Sequence, residues 1–516
     1  MNEHNITAKI EDLQSRLYDL LEKAPGEAIA AARNLSQTDI LDKVVIDGLK
    51  ACVLVDAGKA NKDKEAIEEG VKIFRGILHD YPDRLDVRYN LANGLFGLAE
   101  MQSSSESNWH LATWEMRREA RWLYELTVRN SKGSKLATQA LTNIGNLLWR
   151  SYRWVEAYDS YKKALMHDPS NGIAAARVAQ FLLYYADIGI GDPEMLRSFA
   201  ASHILIFKDS PESILKYGGR HALESFSKLL ETKPAKIKKR NLKALSTYEK
   251  FVAENRLALS ATIEGLDKSI SRWDSLIIGS ITEPAAKGPG VPPVFAMFNT
   301  MKADYLLARW LAYYALECKL PESGFYSDTL DNAHYGMDSS LITVAQKSCF
   351  DILDKVALAT AEYLGVKGSA RGVNFINEWR IKRKNAKEME WQPEIADEIK
   401  SGNPAIIALA ELSDDLGKKG YLEVKKSLRN AATHRFIVLH KSEVGNGRKN
   451  KHIVHYTAGT IRNELISTLK TVRAALFYLV EMIAIHETLL KSENNSALPM
   501  DVPIYRRDQF APTLSS

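Results

Sequence analysis

A chain of 516 residues allows about two to four domains, and 45% apolar with 26% charged residues is the composition of a folded protein, so general disorder is excluded. The formal net charge of +5 is too small for a polyanion coat, so nucleic-acid binding would have to come from local basic clusters. The three cysteines, Cys52, Cys318 and Cys349, are widely spaced, which excludes a disulfide framework and a cysteine-based zinc site; they read as small buried apolar residues in a reducing cytosol.

The N-terminal stretch MNEHNITAKIEDLQSRLYDLL lacks a basic start and an uninterrupted apolar core, so it does not read as a signal peptide. The most apolar part of the last helical segment, Phe477 to Ile485, is too short to span a bilayer. A cytoplasmic protein with no membrane partner is expected.

Residues 1–230 are helical by periodicity, with apolar residues recurring at three and four spacing. The clearest repeat unit is Ala137 to Ser170, where Gly145, Ala157 and Ala164 let paired helices approach, Tyr161 fills the space between them and Pro169 ends the second helix. These intervals are those of a tetratricopeptide repeat. Gly58, Gly70, Phe74 and Pro82 repeat them upstream, and Asp83 to Asn130 is a further copy stretched by the polar insertion Gln102 to Ser107. Residues 171–230 continue in helix pairs with poorer matches. A tetratricopeptide-like solenoid over residues 1–230 is therefore expected, offering a concave surface to a peptide or protein partner.

Residues 231–293 read as a basic transition and linker. Lys233, Lys236, Lys238, Lys239, Arg240 and Lys243 make a charge cluster, and Glu283 to Pro293 is too rich in proline and glycine to be helical. From 294 to 493 a second helical unit follows. Its expected helices are Phe295 to Cys318, Leu341 to Leu364, a third region from Asn403 to His440 broken near Gly417 to Gly420, and a last helix after the loop Glu443 to Lys451. That last helix carries Ile461, Leu465, Leu469, Val472, Leu476, Leu479 and Ile483 as one apolar stripe, which suggests a four-helix bundle with a face also buried against a second copy. The tail 494–516 reads as extended. The fold class is all-α.

The chemistry centres on Leu428-Arg429-Asn430-Ala431-Ala432-Thr433-His434-Arg435-Phe436. On an ideal helix Arg429 and His434 lie about 140° apart, whereas Asn430 and His434, four apart, share a face, so that Asn430 can hold the imidazole. A histidine to move protons, an arginine to brace a phosphate and no metal-ligand cluster suit cleavage of RNA, which supplies its own 2′-hydroxyl nucleophile. The spacing itself is not distinctive, since Arg197/His203, Arg435/His440 and Arg448/His455 share it. Directly after Arg429 stands the polar Asn430. His440, His452 and His455 read as surface or loop histidines. Trp379 reads as a packing residue, and the basic run Arg380, Lys382, Arg383 and Lys384 as a solvated face that can alternatively hold RNA phosphates.

The string Arg429-Asn430-x-x-x-His434 resembles the R-x4-6-H signature of the HEPN superfamily. Further stretches resemble a bacterial HEPN subfamily found behind tetratricopeptide repeats: Glu254 to Leu257, Pro293 to Lys302, Thr329-Leu330-Asp331, Phe350 to Ala357, Val373-Asn374-Phe375 to Trp379, and Asn403-Pro404. The resemblance covers the C-terminal half in order. It implies a metal-independent endoribonuclease that needs no cofactor, acts as a homodimer whose signature helices meet in one cleft, and belongs to a defence or toxin system. Carried over, Arg429 and His434 are the catalytic pair, Asn430 supports them, and Asp354 and Lys355 match a recurrent pair near the site, read otherwise as a structural ion pair or capping contact. Thr433 departs from the acidic residue expected before the histidine. The alternative is a non-catalytic scaffold that uses the bundle to dimerise or bind RNA.

Overall fold

The computed structural model describes residues 3–35, 43–102, 106–131, 133–189, 192–237, 245–260, 273–282, 290–366, 374–381, 390–425, 428, 435–442, 450–493, 499–500 and 503–504. The chain divides into two compact units. The first comprises Met1–Arg150, Asp159–Pro169 and Lys418–Tyr421; the second comprises Ser151–Tyr158, Ser170–Gly417 and Leu422–Ser516.

In the first unit lie α1 (Glu3–Lys23), α2 (Pro25–Arg33), α3 (Lys43–Asn61), α4 (Lys64–Asp80), α5 (Leu85–Met101), α6 (Glu106–Ala112), α7 (Trp114–Asn130), α8 (Lys135–Arg150) and most of α9 (Trp154–His167). They stack as helix pairs: α3 packs on α4, α4 on α5, α5 on α7 and α7 on α8. The short α6 occupies the polar insertion between the two helices of one pair. Small residues set the approach. A Cβ on Gly145 would lie 2.5 Å from the Tyr161 ring, and one on Gly70 would lie 2.9 Å from the Ala51 carbonyl oxygen. Asn143 closes a polar knot between pairs, donating to Asn93 Oδ1 and the Tyr89 hydroxyl at 3.1 Å each, while the Tyr124 hydroxyl donates to Asn93 Oδ1 at 2.6 Å.

The second unit begins with α10 (Gly172–Asp187), α11 (Pro193–Lys208), α12 (Pro211–Ser225), α13 (Ser227–Glu231), α14 (Thr247–Glu254) and the short strand β1 (Ile281–Thr282). Its framework is α15 (Pro293–Glu317), β2 (Ala333–His334), α16 (Met337–Leu364), β3 (Arg380–Ile381), β4 (Glu390–Trp391), α17 (Pro393–Lys400), α18 (Pro404–Leu416), β5 (Phe436–His440), β6 (Ile453–Thr457), α19 (Ala458–Glu493) and β7 (Pro499–Met500). Helix α15 packs along α16, and α19 packs against α15, α16 and α18, giving the four-helix arrangement that the periodicity predicts. The fold class is all-α with short strands.

Local chemistry explains the boundaries. Pro293 and Pro404 open their helices where a missing N–H costs nothing. Asn403, fully buried, caps α18 through Ala405 N at 3.1 Å and donates to the Met482 carbonyl of α19 at 2.8 Å, so one side chain both starts a helix and ties it to the central one. Gly365, at φ 72°, ends α16 in the left-handed region, where other residues are strained. Helix α19 has no single apolar face in its middle, since residues 471–479 are all buried.

Three expectations need correction. Residues 436–440 form strand β5, not the end of a helix reaching His440, and β6 pairs with it in parallel. The run Phe436-Ile437-Val438-Leu439 is continuous, aromatic and β-branched, which favours a buried strand over a helix. The apolar stripe of α19 is consumed within one chain, with Ile461, Leu465, Leu469, Val472, Leu476, Leu479 and Ile483 at most 1% exposed, so it supplies no argument for a second copy. His440 and His455 are not loose surface histidines but lie in the sheet, His440 with no exposure at all.

Candidate functional site

Arg429, Asn430, Thr433 and His434 lie outside the described residues, as do Lys382, Arg383 and Lys384. What is described is the frame that holds the signature stretch at both ends. On its N-terminal side, residues 423–425 are helical and Lys425 is buried against α19. Its ammonium donates to Ser467 Oγ at 2.8 Å and to Thr468 Oγ1 at 3.4 Å, and lies 3.5 Å from the Glu464 carboxylate. Gln346 of α16 donates to the same Thr468 hydroxyl at 2.9 Å, so α16, α19 and the approach to the signature share one polar node. Leu428, immediately before Arg429, is fully buried.

On the C-terminal side the chain enters β5 at Phe436, directly after the exposed Arg435. Strand β5 is the middle of a three-stranded sheet. It runs antiparallel to β2, with Ala333 opposite His440, and parallel to β6, with Phe436 opposite Ile453 and His440 opposite Thr457. The signature is thereby preceded by the buried Leu428 and followed by a strand that pairs with β6 along its whole length and with β2 at Leu439 and His440.

A histidine pair sits at the far end of β5. His440 Nε2 lies 2.8 Å from His455 Nδ1, and His440 Nδ1 lies 3.1 Å from the Asp331 carbonyl oxygen. The Asp331 carboxylate accepts from the Thr329 hydroxyl at 2.6 Å and from Ala333 N at 3.2 Å. The Thr329 hydrogen bond is the main reason that this carboxyl is held below its ordinary value. Leu330 and Asn332, on either side of Asp331, both adopt positive φ, at 59° and 60°. Two non-glycine residues in the left-handed region around one carboxylate mark a loop whose shape is dictated by its surroundings.

The remaining sequence candidates have structural partners. Asp354 Oδ1 accepts from Phe375 N at 2.8 Å, and Lys355 pairs with Asp304 of α15 at 2.6 Å. These are the capping contact and ion pair that form the bland reading of both residues. Arg380 pairs with Asp414 at 2.8 Å and stacks over Trp391 at 4.5 Å. Trp379 is buried and donates to the Phe375 carbonyl, as a packing tryptophan does. Burial pushes the thiols of Cys52 and Cys349 up to about 12, so neither is a ready nucleophile.

Sequence reasoning missed the grouping of Asp331, His440 and His455. The signal was present in two short apolar runs, Phe436 to Leu439 and Ile453 to Tyr456, each ending beside or containing a histidine and separated by a glycine- and lysine-rich loop. Reading them as paired strands would have brought the histidines together.

Compared with known proteins, residues 285–487 match the family model described as LA2681-like HEPN, and the C-terminal region is an LA2681-like HEPN domain. The match begins just before α15 and ends inside α19, so it takes in α15, α16, α18, most of α19 and the signature stretch. No curated protein and no solved structure matches the chain.

Proposed function

We propose that the protein is an endoribonuclease of the HEPN type, with Arg429 and His434 as its catalytic pair and Asn430 orienting the histidine. The supporting observation is that the LA2681-like HEPN match over 285–487 contains the Arg429-Asn430-x-x-x-His434 string. In this reading the substrate 2′-hydroxyl attacks the adjacent phosphorus, forming the O2′–P bond and breaking the P–O5′ bond. The products are a 2′,3′-cyclic phosphate and a 5′-hydroxyl. His434 moves protons between the two oxygens, and Arg429 stabilises the charge that builds on the non-bridging oxygens. The chemistry draws on no protein nucleophile and needs no metal in its path.

The same proposal includes a homodimer in which two signature stretches line one cleft. It gives the N-terminal helix pairs, read as tetratricopeptide-like, the task of docking a peptide or protein partner that controls a defence or toxin activity. RNA cleavage by the pure protein in buffer without added divalent cation is the test. Arg429→Ala and His434→Ala should each lower the cleavage rate by about 10²–10⁴-fold with an unchanged unfolding temperature. Undiminished cleavage in both variants would sink the assignment, and RNA binding without cleavage by the parent would establish the scaffold reading instead.

A further inference from the structure

We propose that Asp331, His440 and His455 form a binding site for one divalent transition-metal ion of the zinc class, joining the loop before α16 to strands β5 and β6. One donor atom from each residue lies within 4.8 Å of the other two. They come from distant parts of the sequence and are brought together by the sheet, with β2 pairing to β5 next to Asp331 and β6 pairing to β5 alongside.

The orientation of His440 is the strongest observation. Its ring is fully buried, and Nδ1 faces the Asp331 main-chain oxygen, which can only accept. The proton therefore resides on Nδ1, and Nε2 presents a lone pair toward His455. A ring nitrogen held by a backbone carbonyl so that the other nitrogen is free to ligate is the usual support for a metal-bound histidine. Among the described residues the hydrogen bonds to the Asp331 carboxylate fall on Oδ1, from Thr329 and Ala333, which leaves Oδ2 available. Asp331 and His455 are only partly buried, so an ion and a water in the fourth position have a route in.

The donor set selects the ion. Two imidazoles and one carboxylate suit zinc and its neighbours, whereas calcium and magnesium require a shell of oxygens. Tetrahedral bonds of about 2.0–2.1 Å place ligand atoms about 3.3 Å apart. The two histidine nitrogens, now 2.8 Å apart in a hydrogen bond, would part by about half an ångström. His455 would carry its proton on Nε2, and no net proton need be released. The ion would bind residues other than Arg429 and His434 and hold β5, the strand that follows them in sequence. The proposal therefore does not rest on the cleavage reading.

The experiment uses the full chain without an affinity tag, stripped with a chelator and titrated with Zn²⁺ and, for its visible absorption, with Co²⁺. The expected result is one ion per chain, a Co²⁺ spectrum of nitrogen and oxygen ligands, and a higher unfolding temperature with metal. Asp331→Asn and His455→Ala, both at partly exposed positions, should weaken binding by at least about tenfold while retaining the parent's circular dichroism. His434→Ala should bind metal as the parent does, which separates this site from the cleavage machinery. No uptake of either metal, equal uptake in the Asp331 and His455 variants, or loss of uptake in His434→Ala would each overturn the proposal.

Discussion

Arg309 shows how much a single buried side chain can organise. Its guanidinium meets both oxygens of Asp274 at 2.8 Å, donates to the Leu257 carbonyl at 3.0 Å and to the Tyr248 hydroxyl at 2.9 Å, and is only 3% exposed. Through these bonds α15 holds both segments that precede it, 257–260 and 273–282. Burial alone would raise the Asp274 carboxyl, but the charge and hydrogen bonds of Arg309 outweigh it, and the group ends below its ordinary value. Its stabilisation is therefore present at neutral pH and lost as pH falls through that lowered value. Asp274→Ala leaves the arginine charge buried without its partner and should cost about 3–5 kcal/mol in denaturant unfolding. Replacing both residues by apolar ones should cost less, and a double variant as unstable as Asp274→Ala would show that the ion pair itself is not the cause. At this scale the sequence was partly legible. Asp354, Lys355 and Trp379 have the structural contacts that their commonplace readings anticipated. Asp274 carries no such signal, because its partner lies 35 residues away.

Among the elements, α19 couples packing to pH. Glu481 lies on it, with Trp154 donating to its carboxylate at 2.8 Å, and burial pushes its carboxyl up to about 7. Between the ordinary value of 4.5 and about 7, the folded protein holds a proton that the unfolded chain has released. Stability therefore falls as pH rises across that window and stays low above it. His486, raised chiefly by the hydrogen bond it donates to Glu398, acts in the same sense, since its contribution is complete below pH 6.5 and is lost as pH passes its raised value. The second unit should thus unfold at a lower temperature at pH 8 than at pH 5.5. Glu481→Gln, which can still accept from Trp154, should recover up to about 3 kcal/mol at pH 8 and flatten the profile; a steeper profile would refute this. The helix pairs permit a paired comparison. Gly145→Ala drives a methyl into the Tyr161 ring and should cost about 1–2 kcal/mol net, whereas Gly76→Ala, in an exposed helix interior with nothing within 4 Å, should gain up to about 1 kcal/mol. Equal effects would mean that helix propensity, not approach distance, decides. The helices were legible because amphipathic periodicity extends over many residues. The strands were not, because five residues of β5 carry too short a pattern to be separated from the end of a helix.

At the scale of the whole molecule, the matched domain and the signature agree in position, but the working assembly is a proposal that dilution can test. If two copies build one cleft, the specific cleavage rate should fall as protein concentration drops below the dimer dissociation constant, and sedimentation should show the monomer appearing over the same range. A specific rate constant through that range would make each chain self-sufficient. The apolar stripe of α19 cannot settle the matter in advance, because a single chain already covers it. The sheet beside the signature has a different consequence, which concerns time. Strand β2, at Ala333, pairs with His440 of β5, and β5 pairs with β6 only after Ile453 has been made. Closing such separations is entropically slow, and the parallel pair cannot begin to form until the second strand exists. During synthesis, the chain therefore carries Arg429 to His434 past the ribosome when β5, the strand that follows them, can pair with β2 but not yet with β6. Prematurely ended products stopping before Ile453 should be inert toward RNA even though they contain every signature residue, and pulse-labelled translation intermediates would reveal whether they are.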